Sequence, residues 1–166
     1  MTHGAASSVP QIAVGGTIPS DVSVKEKDFM KGAPLVLSGK NILVGVPGAF
    51  TTPCNAHLPG YVSKFEDFKA KGVEGIYIFG VNDVFVMQAW SAHLAPSGTP
   101  IHFIADDSGA FVSAIGLAFD GTHLLGGTRA KRFAIVAEGA KVLSIVVEDK
   151  PTSVDVTSAD AVLASL

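Results

Sequence analysis

Apolar residues along the chain form two patterns, which are short uninterrupted runs and runs with a spacing of three or four. Each uninterrupted run predicts a strand that is buried on both faces of a sheet. These runs cover residues 42–46, 76–81, 101–105, 133–137 and 142–147. Because the last two flank a short turn that contains glycine, they predict a β-hairpin.

Segments with helical spacing lie between the apolar runs. After residue 53 the apolar side chains recur at helical intervals, at Cys54, Leu58, Tyr61, Val62, Phe65 and Phe68. Residues 83–94, 110–115 and 158–166 predict further helices. Strands and helices that alternate and end in a hairpin predict an α/β fold, with a central mixed β-sheet flanked by helices.

Two local predictions concern where these elements begin and break. Residues 17–24 alternate weakly between apolar and polar side chains, which predicts an edge strand. The pair Pro59-Gly60 predicts an early interruption of the helix that follows Cys54, because proline cannot donate to the carbonyl four residues back. After a kink this helix is expected to continue to about Lys71, with Gly72 as its C-terminal cap.

The composition predicts one domain that spans residues 1–166, with residues 1–14 loosely ordered. Hydrophobic residues make up 48% of the chain, yet no apolar run reaches the roughly 18 residues that a membrane span requires. The apolar excess is therefore expected in a core or a subunit interface rather than in a membrane. The net charge is −3 and no basic cluster is present, so nucleic-acid binding is not expected.

Sequence features at the two ends of the chain bear on the cellular compartment of the protein. Residues 1–14 contain neither arginine nor a basic segment followed by an apolar one, so neither a secretory signal nor an arginine-rich transit peptide is expected. We expect a cytoplasmic location, or an organellar one if a transit peptide has been removed. The last residues, 164–166, resemble a peroxisomal tail without its basic residue and are interpreted as a helix end.

The chain has one cysteine, Cys54, at the point where a predicted strand turns into a helix. Unpaired N–H groups at a helix start favour an anion, so this position is expected to stabilise the thiolate. A fast-reacting thiol also needs access to solvent and a polar setting for the leaving group. The alternative is a small buried apolar side chain. The preceding Pro-Gly turn and Thr-Thr-Pro segment favour the reactive interpretation.

Three side chains are candidates to surround Cys54. Arg132, at the start of a buried strand, either binds the thiolate and an oxygen-rich substrate or is a solvated strand-end charge. Thr51 either hydrogen-bonds the thiolate or the substrate, or it caps the helix; both roles are compatible if Thr52 supplies the cap. Pro47 either shields the pocket from water or only ends the strand.

His57 follows Cys54 by three residues, which raises the competing hypothesis of a cysteine hydrolase or transferase. No Asp or Asn at a suitable spacing would orient this histidine, and a structural role is favoured. The other histidines show no metal-ligand spacing with Cys54 or with one another, so no metal site is expected.

Several sequence blocks, in order, resemble the peroxiredoxins and specifically their type II, peroxiredoxin-5-like branch. The first is similar to the active-site motif Pro-x-x-x-Thr/Ser-x-x-Cys and has the sequence Pro47-Gly48-Ala49-Phe50-Thr51-x-x-Cys54. The blocks that follow in the same order cover residues 57–61, 69–73, 81–90 and 129–134. The similarity extends over roughly residues 15–166.

The resemblance implies a thioredoxin-like fold and reduction of hydrogen peroxide and alkyl hydroperoxides without a bound cofactor. On the family's pattern, Cys54 is the peroxidatic cysteine. Thr51 and Arg132 complete its hydrogen-bonded pocket, Pro47 shields that pocket, and Arg129 is a candidate for the layer behind them.

The chain departs from the family's pattern in three places. Thr52 stands where the family commonly has proline, and the proline here is Pro53. The stretch between the cysteine and the next Leu-Pro-Gly is one residue shorter than usual, which offsets His57 and leaves it as a second candidate for the layer behind the pocket. The places where relatives often carry a second cysteine hold Ile78 and a residue near Val156.

A one-cysteine enzyme implies recycling from outside the chain. By resemblance, glutathione with glutaredoxin, or thioredoxin, reduces the sulfenic acid formed on Cys54. Four aromatic residues near the active segments, together with the apolar excess, predict an exposed apolar patch and a homodimer. These residues are Phe50, Phe79, Phe85 and Trp90. The alternatives are a redox-sensing protein, in which oxidation of Cys54 is a signal, and a noncatalytic thioredoxin-like scaffold.

Overall fold

The computed structural model describes residues 9–166, and the fold has a central β-sheet. Its strands, in chain order, are β1 (Ser23–Val24), β2 (Ala33–Pro34), β3 (Lys40–Val46), β4 (Val73–Gly80), β5 (His102–Ala105), β6 (Ala118–Asp120), β7 (Thr128–Ala130), β8 (Phe133–Glu138) and β9 (Lys141–Val147). Its helices are α1 (Thr52–Ser63), α2 (Phe65–Ala70), α3 (Val84–Leu94), α4 (Ala110–Ala114), α5 (Thr122–Leu125) and α6 (Ala159–Ser165).

The central sheet has the strand order β5-β4-β3-β8-β9. Strands β3, β4 and β5 run parallel, whereas β8 is antiparallel to β3 and forms a hairpin with β9. Two small antiparallel pairs, β1 with β2 and β6 with β7, lie outside it. The predicted α/β fold with a mixed central sheet and the predicted hairpin are both confirmed.

Strand β3 is buried on both faces, which explains its uninterrupted apolar run. Ile42, Val44 and Val46 pack into the core layer that contains residues of α1, α3 and α6, and Leu43 packs into the layer on the other face. Gly45 faces this second layer, where a Cβ atom would lie 2.0 Å from the ring of Phe133. The site-bearing end of β3 therefore lies in the middle of the fold.

Helix α1 runs without a break through Pro59, so the predicted interruption at Pro59-Gly60 is wrong, whereas the kink stays a prediction. Proline at this position removes one hydrogen bond, but Leu58 and Tyr61 on the other face of the helix are fully buried and hold it against the core. The interruption comes later, at Lys64, which separates α1 from α2. Gly72 follows α2 with φ +87°, as predicted for a C-terminal cap.

Short elements account for the other differences. Within residues 17–24 only Ser23–Val24 form a strand, and Thr17 makes an isolated bridge to Lys141, so the predicted edge strand is wrong over most of its length. Pro19 contributes because it has no N–H to donate to a ladder. The segment that contains β6, α5 and β7 was not predicted, since elements of three or four residues show no periodicity.

The prediction of a loose N-terminus falls partly on residues 1–8, which lie outside the described residues. In residues 9–14 the N–H of Ile12 donates to the carbonyl of Ile115 at 2.9 Å. No helix in the described part of the chain is long and apolar enough to cross a membrane.

Candidate active site

The candidate site lies where β3 ends and α1 begins. Thr51 occupies the N-cap position of α1, Thr52 is its first residue and Pro53 its second. Proline fits here because the first N–H groups of a helix have no partner within the helix. Cys54 therefore lies in the first turn of α1, as the sequence predicts.

The loop between β3 and α1 is held by several hydrogen bonds. The hydroxyl of Thr51 donates to the carbonyl of Gly48 at 2.9 Å, and the N–H of Ala49 donates to Oδ1 of Asn82 at 3.1 Å. Phe50 has φ +66°, and among residues 9–166 it alone combines a side chain with a positive φ. Such a backbone conformation persists only where its surroundings impose it, which marks this loop as a constrained segment.

Arg132 reaches the sulfur of Cys54. Its Nη2 donates to Sγ at 3.2 Å, and Nη2 and Nε both donate to the carbonyl of Pro151, at 2.9 and 3.2 Å. Arg132 is 1% exposed, so the alternative of a solvated strand-end charge is wrong. Arg132 lies between β7 and β8, and from there its side chain reaches Cys54 in the first turn of α1.

The guanidinium of Arg132 has no carboxylate partner among residues 9–166, where the salt bridges involve other residues. A buried cation without a counterion is costly. Among the groups in contact with the guanidinium, the thiol of Cys54 is the one that can carry a negative charge. The arrangement therefore holds a nucleophile and a positive charge together away from water.

His57 lies on the other side of the guanidinium. Nη1 of Arg132 donates to its Nδ1 at 2.9 Å, and its Nε2 is 2.8 Å from the carbonyl of Thr157. Burial is the main reason why the pKa of His57 is lowered to about 4, and the charge of Arg132 lowers it further. The Thr157 carbonyl and Glu148 act in the opposite direction. His57 is thus a buried neutral imidazole in contact with the arginine, in the layer where sequence reasoning placed it.

Glu148 fixes the segment that carries Thr157. Its Oε2 accepts hydrogen bonds from the N–H groups of Asp155 and Thr157 and from the Thr157 hydroxyl, at 2.7–2.9 Å. Burial alone would raise the pKa of Glu148, but these donors together lower it. The phenol of Tyr61 also donates to the Thr157 carbonyl, at 2.6 Å. The chain after β9 is therefore tied to both α1 and the arginine.

The remaining predicted residues surround the loop without touching the sulfur through a hydrogen bond. The hydroxyl of Thr51 donates to the carbonyl of Gly48 and makes no side-chain cap, so the capping role is wrong, whereas a hydrogen bond from Thr51 to the substrate stays a prediction. Pro47 is buried, and shielding by this residue stays a prediction. Arg129 donates to the carbonyls of Pro47 and Leu125, at 3.3 and 3.0 Å, which places it behind the loop as expected.

Cys54 is fully buried, so the expectation of a solvent-accessible thiol is wrong for this structure. The residue belongs to the same core layer as Val46 and Leu58, and the guanidinium covers its sulfur from the side of β8. Among the described residues no group of three or more potential metal ligands comes together.

Sequence reasoning missed Glu148, Pro151 and Thr157. These residues come from about 100 positions further along the chain than Cys54, and they act partly through backbone carbonyls. One signal was present, because Glu148 is an acidic residue directly after the apolar run of β9.

The chain matches the Redoxin family over residues 5–163. It is 44% identical over 156 residues to peroxisomal membrane associated protein 20 of Schizosaccharomyces pombe, a match that covers 93% of this chain and 99% of that one. A crystal structure of reduced Prx3 from Vibrio vulnificus in complex with hydrogen peroxide aligns with a TM-score of 0.84 and 36% identity, over 94% of this chain and all of that one.

Peroxiredoxin 5 from Alvinella pompejana aligns with a TM-score of 0.82 and 34% identity, over 93% of this chain and 97% of that one. These matches confirm the predicted thioredoxin-like fold and the relation to the peroxiredoxin-5-like branch. The chain therefore belongs to the Redoxin family and, within it, to the peroxiredoxins, which are thiol peroxidases.

Proposed function

We propose that the enzyme reduces hydrogen peroxide and alkyl hydroperoxides through a sulfenic acid on Cys54, which an external thiol then reduces. The observation that carries this proposal is the 3.2 Å contact between Nη2 of Arg132 and Sγ of Cys54, in a site without a competing carboxylate among residues 9–166. The similar structure that contains hydrogen peroxide supports the choice of substrate.

In the oxidative step the thiolate attacks the terminal oxygen of the peroxide, which carries the hydrogen, in line with the O–O bond. The S–O bond forms as the O–O bond breaks, so sulfur loses two electrons and the peroxide gains them. The leaving alkoxide or hydroxide takes a proton and departs as alcohol or water. Arg132 is placed to stabilise the negative charge that develops on the separating oxygens, which favours the transition state over the bound substrate.

In the reductive step a thiol outside the chain attacks the sulfenic acid. Water leaves and a mixed disulfide with Cys54 forms, which a second thiol resolves. The proposal needs an external thiol because the chain has no second cysteine. Glutathione with glutaredoxin, or thioredoxin, would supply it.

Burial of Cys54 predicts that small peroxides react faster than bulky ones. Because the side chain is fully buried, neighbouring groups must move before a substrate reaches the sulfur. Hydrogen peroxide requires less movement than a bulky organic hydroperoxide. We therefore expect hydrogen peroxide to react faster, and the larger thiol reductants to require a wider opening of the first turn of α1.

The proposal includes a homodimer formed through an aromatic face next to the active loop, defined here by Phe29, Phe50 and Phe85. These side chains are exposed, and the rings of Phe29 and Phe85 lie 5.0 Å apart. The expectation that Phe79 and Trp90 belong to the exposed patch is wrong, because both are fully buried. The ring of Phe50 lies 5.5 Å from that of His93 on α3. Clustered exposed aromatic side chains are typical of interfaces.

Steady-state consumption of peroxide with each thiol tests the proposed function. Wild-type protein should consume hydrogen peroxide with glutathione and glutaredoxin or with thioredoxin, and Cys54→Ser should not. Oxidation of wild-type Cys54 without turnover in either reducing system would support the redox-sensing alternative instead. A cytoplasmic location is part of the same proposal and is tested by imaging a tagged full chain.

A further inference from the structure

The imidazole of His57 lies between a donor and an acceptor, and this fixes its tautomer. Arg132 can only donate, so Nδ1 of His57 must accept and carries no hydrogen. The carbonyl of Thr157 can only accept, so Nε2 must carry the hydrogen and donate to it. The ring is 2% exposed, and this neutral tautomer satisfies both nitrogens.

Burial and the charge of Arg132 favour the neutral form of His57, whereas the charge of Glu148 favours the protonated form. Arg132 faces the ring from the segment before β8, and Glu148 faces it from the segment after β9. Tyr61, on the same helix, packs edge-on against the ring and shares the Thr157 carbonyl with it, and burial raises the pKa of this phenol. An added proton on His57 would place a second positive charge beside Arg132 and remove the acceptor that Nη1 uses.

The guanidinium of Arg132 is held by neutral acceptors. The Pro151 carbonyl accepts from Nε and Nη2, and His57 accepts from Nη1. Neutral acceptors fix the orientation of the guanidinium without neutralising its charge, which leaves that charge available to Cys54 and to a departing oxygen. Loss of the His57 acceptor would leave one end of the guanidinium free to rotate away from the sulfur.

A second layer holds His57 in turn. The Thr157 carbonyl that accepts from Nε2 belongs to a residue whose N–H and hydroxyl both donate to Glu148. Glu148 also accepts from the N–H of Asp155, so one carboxylate fixes the turn before α6. The connection runs from Glu148 through Thr157 and His57 to Arg132 and Cys54.

We propose that His57 is a positioning residue for peroxide reduction, which as a neutral imidazole orients the guanidinium of Arg132 towards Cys54 and is itself oriented by the segment 148–157. This inference rests on the proposed function, since the step that it affects is the oxidation of Cys54. The segment after β9 thereby becomes part of the active site, although none of its side chains touches the sulfur through a hydrogen bond in the described part of the chain.

The test is the second-order rate constant of Cys54 oxidation by hydrogen peroxide, measured by rapid mixing on the full chain. His57→Leu removes the acceptor, and a lost hydrogen bond to a charged group predicts a fall of about tenfold to a hundredfold. His57→Asn places an amide oxygen near the position of Nδ1 and should recover most of the rate. His123→Leu is the matched control, since it makes the same substitution at an exposed histidine outside this connection, and it should stay within about twofold of wild type.

An unchanged rate in His57→Leu, or equal losses in His57→Leu and His57→Asn, would overturn the positioning role. Nitrogen NMR of the wild-type imidazole at neutral pH gives a readout that needs neither peroxide nor a folded leucine variant, and His57→Asn assigns its signals. We expect hydrogen on Nε2 and none on Nδ1, and the opposite tautomer or an imidazolium would overturn the inference. Failure of wild-type Cys54 to react with peroxide would defeat the proposed function and would leave the NMR result unchanged.

Discussion

Arg132 and Cys54 are 78 positions apart in the chain, and Nη2 of the arginine donates to Sγ of the cysteine at 3.2 Å. The cysteine is delivered by the first turn of α1 and the arginine by the segment that precedes β8. Strands β3 and β8 are adjacent and antiparallel in the central sheet, so the end of β3, which leads into α1, lies beside the start of β8. The nucleophile and its cation are therefore positioned by the core of the fold.

Replacement of Arg132 by lysine tests the contribution of the planar donor set. Arg132→Lys keeps the charge but cannot reach Cys54, His57 and Pro151 together, so we expect Cys54 oxidation to slow by about a hundredfold. The side chain is buried and makes four hydrogen bonds, so the free energy of unfolding should also fall, by about 2–4 kcal/mol. Rapid mixing with peroxide and denaturant unfolding measure the two effects.

The control for this substitution is Lys131→Gln, which removes the neighbouring, partly exposed charge and should leave both quantities close to wild type. If Arg132→Lys reacts with peroxide as fast as wild type, the planar set of N–H donors on the guanidinium has no role in the reaction.

His57 makes stability depend on pH. Its pKa is lowered from the 6.5 of an unperturbed histidine to about 4 in the folded protein, so between these values the unfolded chain binds the extra proton. Its contribution is present in full above about pH 6.5 and is lost as the pH falls to about 4, a loss of about 3 kcal/mol. Denaturant unfolding at several pH values should show this loss in wild type.

The matched variant for the pH experiment is His57→Asn, which removes this titration. Glu148, whose lowered pKa also costs stability as the pH falls, and Asp106, whose burial raises its pKa and acts in the opposite direction, remain in both proteins. The difference between the two unfolding curves therefore reports the titration of His57 together with its coupling to Glu148. Parallel curves from pH 6.5 to 4 would contradict the assignment of a depressed pKa to this residue.

Gly45 should tolerate no side chain. A Cβ at this position would lie 2.0 Å from the ring of Phe133, which is itself fully buried, so Gly45→Ala should destabilise the fold by about 3 kcal/mol or more. Gly127→Ala is the control, because its Cβ would enter open space, and it should be nearly neutral. Thermal unfolding measures both, and equal melting temperatures would show that β3 and β8 are less tightly packed than described.

The aromatic face predicts a change of assembly on substitution. Phe85 is 65% exposed, so Phe85→Glu should leave the monomer folded while charge enters the proposed interface. We expect sedimentation to give a dimer for wild type and a monomer for the variant. Leu124→Glu, at another exposed apolar position, is the control and should remain dimeric. A wild-type monomer at all concentrations would remove the dimer from the proposal.

Much of the sheet could be predicted from the sequence because its strands are buried on both faces. The runs that contain Ile42 and Ile135 are uninterrupted for this reason, and they were located to within a few residues. The break in the active helix was misplaced, because the local effect of Pro59 is outweighed by the burial of Leu58 and Tyr61. Whether a helix continues through a proline depends on tertiary packing, which a local sequence pattern does not show.

In the candidate site too, some residues could be predicted from the sequence and others could not. Cys54 was identified from its position between a strand and a helix. The cost of a buried charge left the role of Arg132 open, and the resemblance to the peroxiredoxins assigned it to the pocket. The connection from His57 to Glu148 could not be predicted, because it passes through the backbone carbonyl of Thr157 and spans about 100 positions. A carbonyl is present at every residue, so its use leaves no mark in the sequence.

Intact mass after one equivalent of hydrogen peroxide tests the central claim most directly. Reduced protein should gain one oxygen atom, and added glutathione should then convert this species to a mixed disulfide at Cys54. Excess peroxide without a thiol should carry Cys54 on to the two-oxygen state. Two buried Cys54 residues in separate pockets are not expected to meet, since a disulfide requires Cα atoms within about 7 Å. Quantitative formation of a covalent dimer after one equivalent would contradict the account.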